Sequence, residues 1–208
     1  MDLKRFEGDI AALEAAGIEK GKVVLYGSSF FSVWGRERAS RQLCELGSAK
    51  FGRLGVVCNG FGGSVGGEQV YYYNRLVKAF EPRALVLRGG INDIGMGASG
   101  EAAAALTVTI ADMAHADFPE IKTVALAAFG CPHVEGLDEY KRAQIAVYNA
   151  ALERAASERD YLSVFDLTPF FKDETGNFRP LFTDGLHLTD SAYEEIAPYF
   201  VNKIKELI

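Results

Sequence analysis

The chain has 208 residues, of which 49% are hydrophobic and 24% charged, and this composition predicts one globular domain, residues 1–208, with a sizeable core. The net charge is -6 and no basic run exceeds two residues, which excludes nucleic acid as the expected partner because phosphate binding needs clustered Lys and Arg. No apolar segment approaches the ~20 residues of a membrane span, and residues 1–22 are too polar for a signal peptide. We therefore expect a cytoplasmic protein without a membrane partner.

The three cysteines, Cys44, Cys58 and Cys131, are widely spaced and match no metal-binding pattern. Free cysteines are most often buried, and reduced thiols are typical of the cytoplasm. We expect buried structural thiols at all three positions.

Short apolar runs alternate with helical patterns along the chain. Helices are predicted over residues 3–13, 70–80, 101–116, 137–158 and 192–204, with Ser99 as the N-cap of the third. The apolar runs predict strands over residues 23–26, 54–57, 84–87, 123–127 and 162–165, and they are continuous, as in strands buried on both faces. The alternation predicts an α/β fold, a three-layer α/β/α sandwich around a five-stranded parallel sheet.

Gly27-Ser28-Ser29 follows the first predicted strand, where a helix should begin. A serine at a helix N-terminus is a candidate nucleophile, because the partial positive charge there favours developing negative charge. Ser29 is the favoured residue, and Ser28 fits better as part of the turn. An ordinary helix N-cap is the structural alternative, and Trp34 in the same helix is predicted to pack in the core.

The loops after the second and third strands are rich in glycine. Residues 59–64, Asn-Gly-Phe-Gly-Gly-Ser, would expose backbone N–H groups, although the lysine of a P-loop is missing. In Gly89-Gly90-Ile91-Asn92-Asp93, the Asn92 amide could donate a hydrogen bond to an oxyanion, with an Asn-Asp turn as the alternative.

Asp184 and His187 lie three residues apart, just before the last helix, so the carboxylate could fix the orientation of the imidazole ring. The other two histidines carry no such partner: His115 is expected to be solvated, and His133, after the fourth strand, could line a pocket. A zinc site is not favoured, because one Asp and one His leave the ligand set incomplete.

Four loops thus carry Ser, Gly, Asn and His in that order, and the sequence resembles the SGNH hydrolases, also called the GDSL esterase and lipase superfamily. The resemblance implies their flavodoxin-like fold, with Ser29 as nucleophile, His187 as general base and Asp184 orienting His187. It also implies an oxyanion hole formed by the backbone N–H groups of Ser29 and Gly63 and the Asn92 side chain, with Gly62 as the alternative to Gly63. The family pattern Gly-Asp-Ser is altered here, since Ser28 replaces the aspartate.

The resemblance implies hydrolysis of a small-molecule ester through an acyl-enzyme, without a metal or organic cofactor. We expect a serine esterase for short-chain esters, acetyl first and carried by a carbohydrate, with Gly62, Phe30 and His133 contacting the substrate. Tyr71-Tyr72-Tyr73 could stack on a sugar or form a subunit contact in a homo-oligomer. Tyr73 is expected in the core, and the structural alternative for Tyr71 and Tyr72 is that they are simply half-exposed. The alternatives are an acyltransferase, a lysophospholipase or thioesterase, and a non-catalytic, nucleotide-binding flavodoxin-like domain.

Overall fold

The computed structural model describes residues 2–45 and 54–208, without the side chains of residues 40, 44 and 45. The expectation for the Cys44 thiol therefore lies outside the described residues, whereas Cys58 and Cys131 are buried and free, as predicted. The strands are β1 (Val23–Gly27), β2 (Val56–Gly60), β3 (Ala84–Arg88), β4 (Lys122–Leu126) and β5 (Leu162–Phe165). The predicted second strand is displaced, since β2 begins two residues later and ends at Gly60.

The helices flank these strands in chain order. They are α1 (Glu7–Ala15), α2 (Ser29–Trp34), α3 (Arg36–Glu45), α4 (Gly66–Leu76), α5 (Ile91–Gly95), α6 (Gly100–Asp117), α7 (Pro132–Glu135), α8 (Glu139–Ser157), α9 (Thr168–Phe171) and α10 (Asp190–Leu207), with a 3-10 turn at Lys78–Phe80. The predicted Ser99 cap of α6 is confirmed, because its hydroxyl accepts a hydrogen bond from the Ala102 N–H at 3.2 Å. None of the described helices combines the length and apolar character that crossing a bilayer requires.

The five strands form one parallel sheet in the order β2-β1-β3-β4-β5. Right-handed crossovers place α3, between β1 and β2, on one face of the sheet. The later connections run in the opposite direction, so α4, α6 and α8 cover the other face, where α6 contacts both α4 and α8. On the first face, α10 returns to contact α3. The predicted three-layer α/β/α sandwich with a five-stranded parallel sheet is confirmed.

The core includes a cluster of aromatic rings between the sheet and α10. Trp34 is fully buried, as predicted, and its ring centroid lies 5.2 Å from that of Tyr193 and 5.3 Å from that of Phe200. The indole N–H donates to Gln42 Oε1 at 2.6 Å, so burial of the ring leaves no unsatisfied donor.

Two predictions about aromatic side chains were wrong. Tyr72, expected to be partly exposed, is fully buried because α1 packs over α4, and its hydroxyl donates to Glu7 at 3.3 Å. His115, expected to be solvated, is half-buried and stacks on Tyr161 at a centroid distance of 3.9 Å. Tyr72 lies in α4 and His115 in α6, and each is covered by another segment of the chain. The periodicity of the two helices does not reveal this contact.

Gly27 ends β1 directly beside β3. A Cβ atom at this position would lie 2.1 Å from the Arg88 carbonyl oxygen, well inside van der Waals contact. The same carbonyl accepts the Ser28 N–H at 3.2 Å, so the close approach of the two strands fixes the first turn after β1.

We expect Gly27→Ala to lower the free energy of unfolding by about 3 kcal/mol, because the backbone of β3 cannot yield to the new methyl group as a flexible side chain would. Urea denaturation measures the loss. Gly8→Ala in α1 is the matched control, since a Cβ there meets nothing within 4 Å. This control should change stability by less than about 1 kcal/mol and toward higher stability. Equal stability of both variants would contradict the proposed close approach.

Candidate active site

Ser29 is the first residue of α2 and follows β1 by two positions. Ser28, rather than Ser29, occupies the N-cap position, and its side chain makes no capping hydrogen bond. The interpretation of Ser29 as an ordinary N-cap is therefore wrong. The turn instead directs the chain so that Ser29 lines a cleft at the carboxyl ends of the strands.

The cleft has a volume of about 350 Å³ and contains residues from four separate loops. The predicted site residues Ser29, Asn92 and His187 all line it. The complete lining is Ser28, Ser29, Phe30, Arg88, Ile91, Asn92, Phe129, Leu186, His187 and Tyr193. This volume includes space that is open to solvent, and the enclosed part of the cleft is small.

Asp184 and His187 form a compact turn. The Asp184 Oδ2 atom lies 2.7 Å from His187 Nδ1, while Oδ1 accepts the backbone N–H groups of Leu186 at 3.0 Å and His187 at 2.8 Å. Gly185 allows this turn because its φ is +83°, a value that L side chains rarely adopt. The hydrogen bonds from the backbone and then the ring of His187 hold the pKa of Asp184 well below its usual range.

The residues on either side of this turn pair with each other and close it. Phe182 and Leu188 form an isolated antiparallel bridge, and the Thr183 N–H donates to the His187 carbonyl at 2.8 Å. Among the hydrogen bonds of residues 2–45 and 54–208 there is none between the Ser29 hydroxyl and His187. Catalytic hydrogen bonds are often long without substrate and shorten in the complex, so the shared cleft is the relevant observation.

Asn92 and its neighbour Asp93 connect the loop after β3 to the loop after β2. Asn92 Nδ2 donates to the Ser64 carbonyl at 2.9 Å, and Asp93 Oδ1 accepts the Gly66 N–H at 2.9 Å. Burial raises the pKa of Asp93, whose Oδ2 has no hydrogen-bond partner among the described residues. Because an amide nitrogen carries two N–H groups, Asn92 retains one donor for a ligand.

Neither glycine of the oxyanion prediction lines the cleft itself. A Cβ on Gly62 would lie 4.0 Å from Ser29 Cα, which places the Gly62 backbone next to the nucleophile candidate. The Gly63 carbonyl accepts a hydrogen bond from Arg5 Nη2 at 3.0 Å, an anchor for this loop.

Of the other predicted substrate contacts, Phe30 lines the cleft and His133 does not. His133 is exposed, and its backbone N–H donates to the Gly185 carbonyl at 3.0 Å. The structure thus places His133 behind the turn that carries His187, where its backbone supports the turn.

Sequence reasoning missed Arg88, Phe129 and Tyr193, which complete the cleft. Arg88 had a visible signal, because it is a charged residue at the end of an otherwise apolar strand. Tyr193 was masked by the helical periodicity of α10, which marks it only as a core residue. As for metals, the part of the chain described contains no group of three or more His, Cys, Asp or Glu side chains that could hold an ion.

The chain belongs to the GDSL-like lipase/acylhydrolase family, whose profile matches residues 25–195. This confirms the resemblance drawn from the four loops, and membership of an acylhydrolase family implies an ester hydrolase. None of the curated proteins compared with the chain matches its sequence.

Solved structures show the same fold at low sequence identity. A GDSL-like lipase from Bacteroides thetaiotaomicron has a TM-score of 0.70 at 18% identity, with 100% of this chain and 98% of that one covered. A member of the lipolytic protein G-D-S-L family from Veillonella parvula gives 0.69 at 15% identity, covering 90% and 99%. LAE5, an alpha/beta hydrolase from the metagenome of Lake Arreo, gives 0.69 at 18% identity, covering 92% and 98%.

The charge of Asp184 should stabilise the fold in a pH-dependent way. Because its pKa is depressed on folding, the contribution is present above the unfolded pKa of about 3.9 and is lost as pH falls through the lower folded pKa. We expect wild type to be more stable than Asp184→Asn at pH 7, with the difference disappearing in strong acid. Since the Asp184 side chain is 55% exposed, screening keeps the difference small. Chemical denaturation of both proteins across pH 2–7 measures it, and a difference that grows in acid would contradict the assignment.

Proposed function

We propose that this protein is a serine esterase that hydrolyses short-chain acyl esters, acetyl esters first, through an acyl-enzyme on Ser29. The observation that carries the proposal is the cleft in which Ser29, Asn92 and His187 meet, with Asp184 bound to the far nitrogen of His187. These are the groups that nucleophilic acyl transfer requires: a nucleophile, a general base with its orienting carboxylate and an oxyanion donor.

In the first step, Ser29 Oγ attacks the ester carbonyl while His187 Nε2 takes the hydroxyl proton. Asp184 holds Nδ1–H, which selects the tautomer with Nε2 free and stabilises the imidazolium that forms. The oxyanion accepts hydrogen bonds from the backbone N–H of Ser29 and the second Nδ2–H of Asn92. A third comes from the glycine loop, either from the Gly63 N–H or from that of its alternative, Gly62, which lies beside Ser29. His187 then protonates the leaving alcohol, the alcohol departs, and His187 activates the water that releases the acid.

The dimensions of the cleft support a short acyl group. The enclosed part of the cleft is small and five of its ten lining residues are aromatic or aliphatic, which leaves little room for a long chain. For the alcohol moiety of the acetyl ester, we propose a carbohydrate first. The tyrosine run offers it no platform at the site, however, because only Tyr71 is exposed, at 43%, and it lies outside the cleft.

Replacement of the nucleophile tests the mechanism. We expect wild type to cleave 4-nitrophenyl acetate and butyrate faster than the octanoate, and Ser29→Ala to lose this activity, because the acyl group is carried by Ser29 Oγ in the proposed mechanism. An alkyl fluorophosphonate, which phosphonylates activated serines, should label Ser29 in wild type, as mapped by mass spectrometry of the digested protein.

Ser28→Ala is the matched control, since Ser28 also lines the cleft and is the alternative nucleophile. It should still be labelled at Ser29. Labelling of Ser28, or wild-type hydrolysis by Ser29→Ala, would show that the nucleophile is another residue. Equal rates for acetate and octanoate would refute the preference for short chains.

Asn92→Ala tests the oxyanion donor. Loss of one such donor costs on the order of 10²–10³ in kcat, whereas loss of one hydrogen bond to the Ser64 carbonyl costs only about 1 kcal/mol of stability. Steady-state kinetics and thermal melting should therefore separate the two effects. A large fall in melting temperature with an intact kcat would assign Asn92 a structural role only.

A further inference from the structure

Arg88 is a buried cation inside the candidate active site. It ends β3 with only 4% of its surface exposed, yet it is one of the residues lining the cleft with Ser29, Asn92 and His187. The proposed reaction gives Arg88 no task, since nucleophile, base and oxyanion donors are other groups.

The hydrogen-bonding capacity of Arg88 is largely unused. A guanidinium carries five N–H donors, and one hydrogen bond is made within residues 2–45 and 54–208, from Nη1 to the neighbouring Gly89 carbonyl at 3.1 Å. Its other nitrogens are not among the fully enclosed polar atoms that lack a partner, so they retain contact with the cleft.

No carboxylate in the described part of the chain neutralises Arg88 by an ion pair within 4.0 Å. Asp166 is the carboxylate whose charge acts on Arg88, and it is already hydrogen-bonded to the Thr168 N–H and hydroxyl. The aromatic ring of Phe129 lies against the guanidinium, with its centroid 4.5 Å from Arg88 Cζ. A cation–π contact offsets part of the cost of burial but satisfies no N–H group.

We propose that Arg88 binds a carboxylate of the substrate, so that the ester cleaved by this enzyme carries a negative charge a few bonds from its scissile carbonyl. The inference rests on the proposed hydrolysis and narrows its substrate to esters of this class. A carboxylate matches the planar guanidinium with two parallel hydrogen bonds and balances its single charge. A phosphate dianion would leave surplus charge among the aromatic walls formed by Phe30, Phe129 and Tyr193.

The overall charge of the protein does not itself attract an anionic substrate. With a net charge of -6, the molecule as a whole repels anions, so recognition of an anionic ester has to come from a cation in the cleft itself. The carboxylate could belong to the acyl group or to the alcohol, and both place it beside the same guanidinium.

Two matched substrate pairs distinguish these sources. Monoethyl succinate and its amide, ethyl succinamate, differ only by a charge on the acyl side; acetoxyacetate and acetoxyacetamide differ only by a charge on the alcohol side. At pH 7 both acids are ionised. We expect wild type to hydrolyse the charged member of one pair with a kcat/KM at least about tenfold higher than that of its amide. The pair that shows this preference identifies whether the carboxylate belongs to the acyl group or to the alcohol.

Arg88→Met should abolish the preference by bringing the ratio of the two kcat/KM values close to one, mainly through KM of the charged ester. Arg88→Lys should restore part of it, because the charge returns without the planar fork. Arg154→Met is the control: it removes a guanidinium that pairs with Glu101 on the exposed surface and should leave the ratio at its wild-type value. Circular dichroism tests whether each variant is folded. If Arg88→Met is unfolded, the wild-type kcat/KM ratios within the two pairs decide the outcome.

Equal kcat/KM within both pairs, or a preference that persists in Arg88→Met, would overturn the inference while leaving the esterase intact. If wild type cleaves none of the four esters or the nitrophenyl esters, the proposed function fails. In that case, calorimetry with succinate tests whether Arg88 forms a carboxylate-binding site. Binding to wild type but not to Arg88→Met supports the site, and no binding to either protein overturns it.

Discussion

The candidate site depends on the position of β1 inside the parallel sheet. Because β1 lies between β2 and β3, the chain leaves β1 toward one face and leaves β3 toward the other, which opens a crevice at their carboxyl ends. Gly27 and Arg88 are register partners at this edge, and the close approach of their backbones sets where each loop departs. Ser29 and Asn92 follow within a few residues, so the sheet itself brings the two groups together.

Polar groups that would destabilise an ordinary core surround this crevice. Asp93 is buried with one carboxylate oxygen unpartnered, and Arg88 is buried with most of its donors unused. Burial raises the pKa of Asp93 and lowers that of Arg88, which shows that both charges are disfavoured where they lie. Such costs accumulate at functional sites more than elsewhere, because a ligand or a catalytic geometry offsets them.

The sequence predicts those parts of the molecule that local patterns encode. Continuous apolar runs predicted the parallel sheet, and the short spacing of Asp184 and His187 predicted a contact that the structure shows at 2.7 Å. Burial by distant segments has no local signal, which explains the errors for Tyr72, covered by α1, and His115, covered by Tyr161. The charge of Arg88 at the end of an apolar strand is visible in the sequence, but the packing of its side chain beside Phe129 in the cleft has no local signal.

The Asp184–His187 turn is held by contacts of a different kind from those of the sheet. Its hydrogen bonds join residues within four positions of one another, the Phe182–Leu188 bridge closes its base, and the His133 N–H binds the Gly185 carbonyl. Leu188 is buried in the core, but none of residues 183–187 is buried. Segments with few buried contacts open locally at a lower free energy than the core strands. Heat should therefore inactivate this protein through detachment of the Asp184–His187 turn while the sheet is still folded. Activity should accordingly be lost at a lower temperature than the secondary structure.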